Sequence, residues 1–185
     1  MTYSGAVLAG GKSRRFGQDK ARFLWRGKAL LEWSLEALSG ASERFVVANQ
    51  PYPEFAVRVY ADRIPGGDSL SGLHSALSYA QNDWVAVAAC DLPFLTPEYW
   101  DFLGGRAGAY QAVAGVGPQG FPEPLAALYH RALLPEVEAR LIRRELKLQA
   151  VLRSARTLYI PWSELELRFG PHLYTNLNTP GDLGR

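Results

Sequence analysis

Two adjacent glycines, Gly10 and Gly11, follow a short apolar run at Ala6 to Leu8, with Lys12, Arg14, Arg15 and Lys20 close behind. Glycine lets a backbone turn sharply and come near a ligand where a Cβ would obstruct it. Backbone N–H groups exposed after a strand, with cations beside them, hold the oxygens of a polyphosphate. The chemistry expected of this stretch is the binding of a nucleoside triphosphate. The plainer alternative is a glycine turn with a solvated basic loop, although cations are costly to gather beside exposed amides without an anion. A second chemical signal is Asp91, one step beyond the apolar run Trp84 to Ala89 and Cys90. In open α/β sheets the ligand sits outside the carboxyl ends of the strands, so an acid there points at the site. A carboxylate can hold a hard cation against phosphate charge, or simply cap the turn ahead of Pro93.

Neither common phosphate loop accounts for the glycines. A Walker A loop ending in Gly11-Lys12-Ser13 would need its first glycine at position 6, which is Ala6. The GxGxxG dinucleotide fingerprint fails as well, since no glycine stands two positions before the pair.

The elements that must position these residues alternate. Leu31, Leu35 and Leu38 fall at i, i+4 and i+7 and predict a helix closed by Ser39-Gly40. Phe45 to Ala48 and Val57 to Tyr60 predict short buried strands, and a helix is expected from Gly72 to Ala80. Trp84 to Ala89 reads as a strand covered on both faces. Further on, the pattern predicts a helix over Pro97 to Leu103, strands over Gln111 to Val116 and Leu125 to Tyr129 with a turn at Pro122 to Pro124, helices over Leu133 to Ile142 and Glu145 to Leu152, and an apolar run from Thr157 to Ile160. Strand and helix in alternation imply a three-layer α/β fold, a mostly parallel, doubly wound, Rossmann-like sheet in a single domain over residues 1–185. A nucleotide-binding half, about 1–95, is expected to be followed by an acceptor-side half, about 96–185.

Composition excludes several classes. Twenty Lys and Arg against 18 Asp and Glu leave a net charge of +2, which by itself implies neither nucleic acid nor membrane binding. Cys90 is alone, so no intramolecular disulfide forms, and the three histidines lack ligand spacing. No apolar run approaches the ~18 residues of a membrane span, and the first residues lack a signal-peptide pattern. A cytoplasmic protein is expected.

The stretch LAGGKSRRFGQDKA, Leu8 to Ala21, resembles the opening of the nucleotidyltransferases that activate sugars and cofactors, roughly LAGGxSxRMGxDKA, with Phe16 in place of methionine. The chain is most similar to the molybdenum cofactor guanylyltransferases, and Cys90 to Leu95, CDLPFL, and Asn176 to Leu183, with Asn176-Leu177-Asn178-Thr179-Pro180 and Asp182, match further motifs of that group. This resemblance implies transfer of GMP from GTP to the phosphate of molybdenum-molybdopterin, with release of pyrophosphate and with Mg2+ held by Asp91. It implies nucleotide binding by Leu8, Ala9, Gly10, Gly11, Lys20, Asn49, Asp62 and Asp91, catalytic roles for Arg15, Lys20 and Asp91, and acceptor binding by Asn176 and Asn178, which could otherwise cap the last helix. Proteins that deliver and receive the cofactor are implied as partners. Rival readings are a sister transferase using CTP or a sugar-phosphate acceptor, and a non-catalytic nucleotide-binding module.

Among the cations, Lys20 suits phosphate as a mobile point charge and Arg15 as a rigid donor fork, whereas Lys12 and Arg14 could face water. Asn49, ending a strand, could read a base edge or simply take a turn. Asp62 falls where the resembling family has an acidic residue, and Asp68 competes with it. At Asp68-Ser69 the chain departs from the family's Gly-Pro, which leaves the conformation of that loop open. Arg140, Arg143, Arg144 and Lys147 would form one basic stripe if a single helix ran through them, either a solvated face or an acceptor-phosphate contact. Cys90 is expected to be a small apolar filler rather than a nucleophile.

Overall fold

The structure, a computed structural model, describes residues 1–10 and 19–177. Its strands are β1 (Ser4–Leu8), β2 (Leu24–Trp25), β3 (Lys28–Ala29), β4 (Glu43–Val47), β5 (Arg58–Tyr60), β6 (Trp84–Ala89), β7 (Ala112–Val116), β8 (Pro122–His130) and β9 (Thr157–Ile160). The helices are α1 (Leu30–Ala37), α2 (Ser69–Tyr79), α3 (Pro97–Gly104), α4 (Leu134–Ile142), α5 (Leu148–Ser154) and α6 (Trp162–Phe169).

Among the described residues, seven strands form one sheet in the order β5-β4-β1-β6-β8-β7-β9. β5, β4, β1 and β6 run parallel, β8 runs against both β6 and β7, and β9 is parallel to β7. The sheet is buried on both sides, which is why its middle strands are continuous apolar runs. Val7, Val46, Ala86 and Ala88 face the side covered by α1, α3 and α6. Their neighbours Ala6, Phe45, Val47, Val85 and Val87 face the side covered by α2, α4 and α5. The expected three-layer α/β architecture is the one observed, and the second half of the chain completes the same sheet.

Local chemistry sets several boundaries. Glu32 Oε2 accepts from the Ala29 N–H at 2.8 Å, satisfying a donor at the start of α1. Pro97 occupies the first turn of α3, where its missing N–H costs nothing.

Besides α6, which the sequence pattern did not predict, four features differ from the sequence expectation. The hairpin β2–β3 turns on Arg26 and Gly27, both with positive φ (49° and 78°), and its strands are too short for periodicity to reveal. α2 begins at Ser69 rather than Gly72, with the Ser71 hydroxyl accepting from the Gly67 N–H at 2.8 Å. Pro122 to Pro124 is not a turn but the start of β8, a position at which a strand tolerates proline. The basic stripe is broken: α4 ends at Ile142, Arg144 adopts φ 61°, and α5 starts at Leu148. Arg140 and Arg143 both reach Glu145 at 3.0 Å, and Arg144 Nη1 donates to the Gly66 carbonyl at 3.0 Å, so these cations anchor loops.

Candidate functional site

β1, β4 and β6 end at one level, with Leu8 in register with Val47 on one side and Ala89 on the other. The chain leaves β1 towards β4 and β5 and then crosses to β6 on the far side, so the strand order reverses beside β1. Such a switch point opens a crevice at the carboxyl ends of the strands.

Two sequence-expected residues meet there. Asp91 follows β6, and Lys20 Nζ donates to its Oδ2 at 2.7 Å. Lys20 opens a 3-10 turn, Lys20–Arg22, and Asp19 fixes that turn from several sides. Its carboxylate accepts from the Ala21 N–H at 3.1 Å, Gln50 Nε2 at 2.8 Å, the Tyr52 hydroxyl at 3.2 Å and Arg22 Nη1 at 2.8 Å. Arg22 in turn pairs with Glu54 and stacks over the Tyr52 ring. The Tyr52 hydroxyl also donates to the Ala9 carbonyl at 3.4 Å, which ties the Lys20 turn to the residue just after β1.

Leu8 and Ala9 line the end of β1, and Gly10 beyond them is exposed; among the described residues an added Cβ would meet only the Ala48 Cα, at 3.9 Å. Gly11 and Arg15, with Lys12 and Arg14, lie outside the described residues, as does Asn178. Asn49 and Asp62 clasp each other: the Asn49 amide donates to Asp62 Oδ2 at 2.8 Å, and its Oδ1 accepts from the Asp62 N–H at 3.0 Å. Asp68 stands apart from this pair, at the start of α2 with φ 50°.

Burial, then the charge of Asp91, push the Cys90 thiol up to about 12, with Lys20 opposing. A thiol held this way is neutral and fills space.

On the other side of Asp91, a cavity of about 780 Å³ is lined by Asp68, Glu123, Lys147, Trp162, Tyr174 and Asn176, among others. Its far wall is the segment 171–177. Leu177 N–H donates to the Asp91 carbonyl at 3.1 Å, and Leu177 is buried with Trp25 and Leu30. The Tyr174 and Tyr99 hydroxyls meet at 2.6 Å, with Tyr99 also donating to the Ala126 carbonyl at 2.5 Å. Tyr174 fits because position 115, at an irregularity of β7, is glycine; a Cβ there would collide with the tyrosine hydroxyl. Asn176 is thus carried at the cavity wall, one residue from the bond to Asp91.

Glu123, Trp162 and Tyr174 escaped sequence reasoning. In the ladder between β6 and β8, Ala88 faces Ala126, so Glu123 on β8 and Asp91 in the turn after β6 lie at the same edge of the sheet, near enough for the Asp91 charge to act on Glu123. Glu123 is half-buried, and burial first, with the Asp91 charge adding, raises its carboxyl above the usual range, while the Leu125 N–H at 3.4 Å opposes the shift. The usable signal was the alternation that runs through both prolines into Leu125 to Tyr129.

Parallel strands, a switch point and a Lys–Asp pair at its mouth define an α/β enzyme of the nucleotidyltransferase class. A model of the MobA-like NTP transferase domain matches residues 5–158, and the chain belongs to that family. It is 35% identical over 187 residues to a Deinococcus radiodurans protein named "Probable molybdenum cofactor guanylyltransferase", covering 99% of this chain and 93% of that one. A Pyrococcus furiosus protein of the same name is 36% identical over 188 residues, covering 97% and 93%. Among solved structures, molybdopterin-guanine dinucleotide biosynthesis protein A from Archaeoglobus fulgidus superimposes with a TM-score of 0.83 at 29% identity, covering 97% of this chain and 94% of that one.

Proposed function

We propose that this nucleotidyltransferase moves GMP from GTP to the terminal phosphate of molybdenum-molybdopterin, forming the guanine dinucleotide of the cofactor. An oxygen of the acceptor phosphate attacks the α-phosphorus of GTP, and the bond to the departing pyrophosphate breaks. That oxygen is already ionised at neutral pH, so the step needs neither an enzyme nucleophile nor a strong base. The observation that carries this reading is the meeting of Lys20 and Asp91 at the switch point, between the end of β1 and the cavity that holds Asn176.

In this reading Leu8, Ala9, Gly10 and Gly11 bring backbone close to the nucleotide, with Asn49 and Asp62 at its side. Lys20 and Arg15 bind the phosphates, and Asn176 and Asn178 hold the acceptor. Among the described residues no group of three His, Cys, Asp or Glu side chains could cage a metal. Magnesium does not require one, since it takes one or two carboxylates together with substrate phosphates and water, and the hard oxygens of Asp91 fit that demand. Mg2+ at Asp91 would supply positive charge against the phosphates. The division of labour places the nucleotide on about residues 1–95 and the acceptor on about 96–185.

No helix among the described residues is long and apolar enough to cross a membrane. The reading places the reaction in the cytoplasm, with neither nucleic acid nor membrane as partner and with proteins that deliver and receive the cofactor. A pyrophosphate-release assay over the four ribonucleoside triphosphates, with and without molybdopterin, tests it. Release is expected with GTP and only when acceptor is present; release with CTP alone, or with a sugar phosphate instead of molybdopterin, would point to a sister transferase. Binding of GTP without any release would leave a nucleotide-binding module.

A further inference from the structure

The cavity beside Asp91 is walled by a carboxylate, which is a poor choice for a site that admits a phosphorylated, anionic acceptor. Unless it faces hydrogen-bond donors, a half-buried Glu123 repels such a ligand and remains incompletely satisfied. Among the described residues its one hydrogen bond is a long one, from the Leu125 N–H at 3.4 Å, which leaves carboxylate lone pairs for other donors. The wall also carries Asp68 and Lys147, and one part of it is aromatic. Trp162 and Tyr174 lie with ring centroids 6.0 Å apart and tilted at 40°, and Phe121, 72% exposed, stands at the rim. Aromatic faces of this kind stack on heterocycles.

We infer that Glu123 reads the pterin end of the acceptor, its carboxylate accepting from the adjacent ring N–H and exocyclic amino group while the ring lies among the aromatic walls. The two donors of a 2-amino-4-oxo-pterin point the same way, like the fork of a guanidinium, and a carboxylate receives such a pair bidentately. The inference rests on the function proposed above and deepens it, since it names the residue that would tell a pterin from other phosphorylated acceptors. A site built around such a pair rejects a ring that lacks the donor, because its own polar group is then stranded.

Two arms test this. In the first, pterin and lumazine, in which the 2-amino group is replaced by an oxygen, compete with molybdopterin for the wild-type enzyme. Pterin should inhibit at concentrations at least about tenfold lower, and equal inhibition by the two overturns the inference without any variant having to fold. In the second, Glu123→Gln is assayed with each substrate varied. The KM for molybdopterin should rise about tenfold to a hundredfold, with the KM for GTP and the magnesium requirement unchanged, and the preference for pterin over lumazine should vanish. An unchanged acceptor KM overturns the inference, as does an effect confined to the magnesium requirement, which would make Glu123 a metal ligand. If the wild type forms no dinucleotide from GTP and molybdopterin, the proposed function itself falls and the inference with it; an active wild type with an indifferent Glu123 sinks the inference alone.

Discussion

Lys20 and Asp91 are 71 positions apart in the chain and 2.7 Å apart in space, with side chains 16% and 23% exposed. Each is delivered by a different loop, and together they span the mouth of the crevice beside β1. The pair is partly buried, so each charge depends on the other for compensation, and a triphosphate or a cation entering the crevice would compete with that contact.

Replacing Asp91 with Asn keeps the side-chain shape and an oxygen that accepts from Lys20, so the fold is expected to be retained. Turnover should fall at least about a hundredfold, because an amide keeps the shape of the side chain but loses the hard anionic ligand. Magnesium-dependent pyrophosphate release at near wild-type rate would falsify the metal role given to Asp91.

Lys20→Ala should weaken GTP binding by about 1.5 to 3 kcal/mol, the range of a lost charge-assisted phosphate contact. Lys12→Ala should weaken it much less, since Lys12 occupies a variable position of the glycine-loop pattern. Calorimetric titration of both variants decides, and equal losses would show that the phosphate loop has been read in the wrong register.

Base choice is expected to depend on Gly10. In the resembling family, guanine-using members read LAGG where cytosine-using ones tend to read LAAG. Among the described residues a methyl group at this position meets nothing closer than the Ala48 Cα at 3.9 Å, so Gly10→Ala is expected to fold and to act on the ligand. The wild type should form the guanine product in competition with CTP, and the variant should lose roughly tenfold or more of that preference. An untouched preference would remove Gly10 from the account of specificity.

A pH dependence follows from Glu123. Its carboxyl is raised in the folded protein by burial first and by Asp91 as well. The folded state therefore favours the protonated form, and the associated stability is fully present below the ordinary carboxylate pKa and lost as pH rises through the raised value. Urea midpoints for wild type and Glu123→Gln in metal-free buffer should separate in the variant's favour from about pH 4 upward. A gap that stays constant over that window would show that the carboxyl is not strained.

Gly115→Ala should cost about 1 to 3 kcal/mol, the usual price of overpacking, because its methyl collides with the Tyr174 hydroxyl and with Leu165 Cδ1. Only the share due to the hydroxyl should disappear in the Tyr174→Phe background, since the Leu165 contact remains. Chemical denaturation of the two single variants and the double variant measures the coupling; additive losses would mean that the collision is relieved elsewhere.

How far these features were legible depended on the range over which each is encoded. β6 was readable to the residue, because a strand buried on both faces is an apolar run bounded by polar residues. α6 was not, since Trp162, Leu165 and Phe169 are thinly spread among charges. The counting rule that joined Arg140 to Lys147 carried no information about the left-handed turn at Arg144. Asp91 and Lys20 stood out through motif and strand context, but nothing local in the sequence brings Tyr99 to Tyr174 or Leu177 to the Asp91 carbonyl. Glu123 was hidden by its flanking prolines, which signal a turn almost everywhere except at a strand's beginning.

The reversed direction of β8 sets how this protein could diversify. β1, β4 and β6 meet the ligand edge with their exits, locked in register with one another, while β8 meets it with its entry, just past a short turn in which the Gly117 N–H donates to the Phe121 carbonyl at 2.8 Å. A turn of that kind can be lengthened or recut without shifting the three locked strands. Descendants of such a chain could reshape one side of the crevice by editing a hairpin tip and a tail, while inheriting the three locked strand ends unchanged.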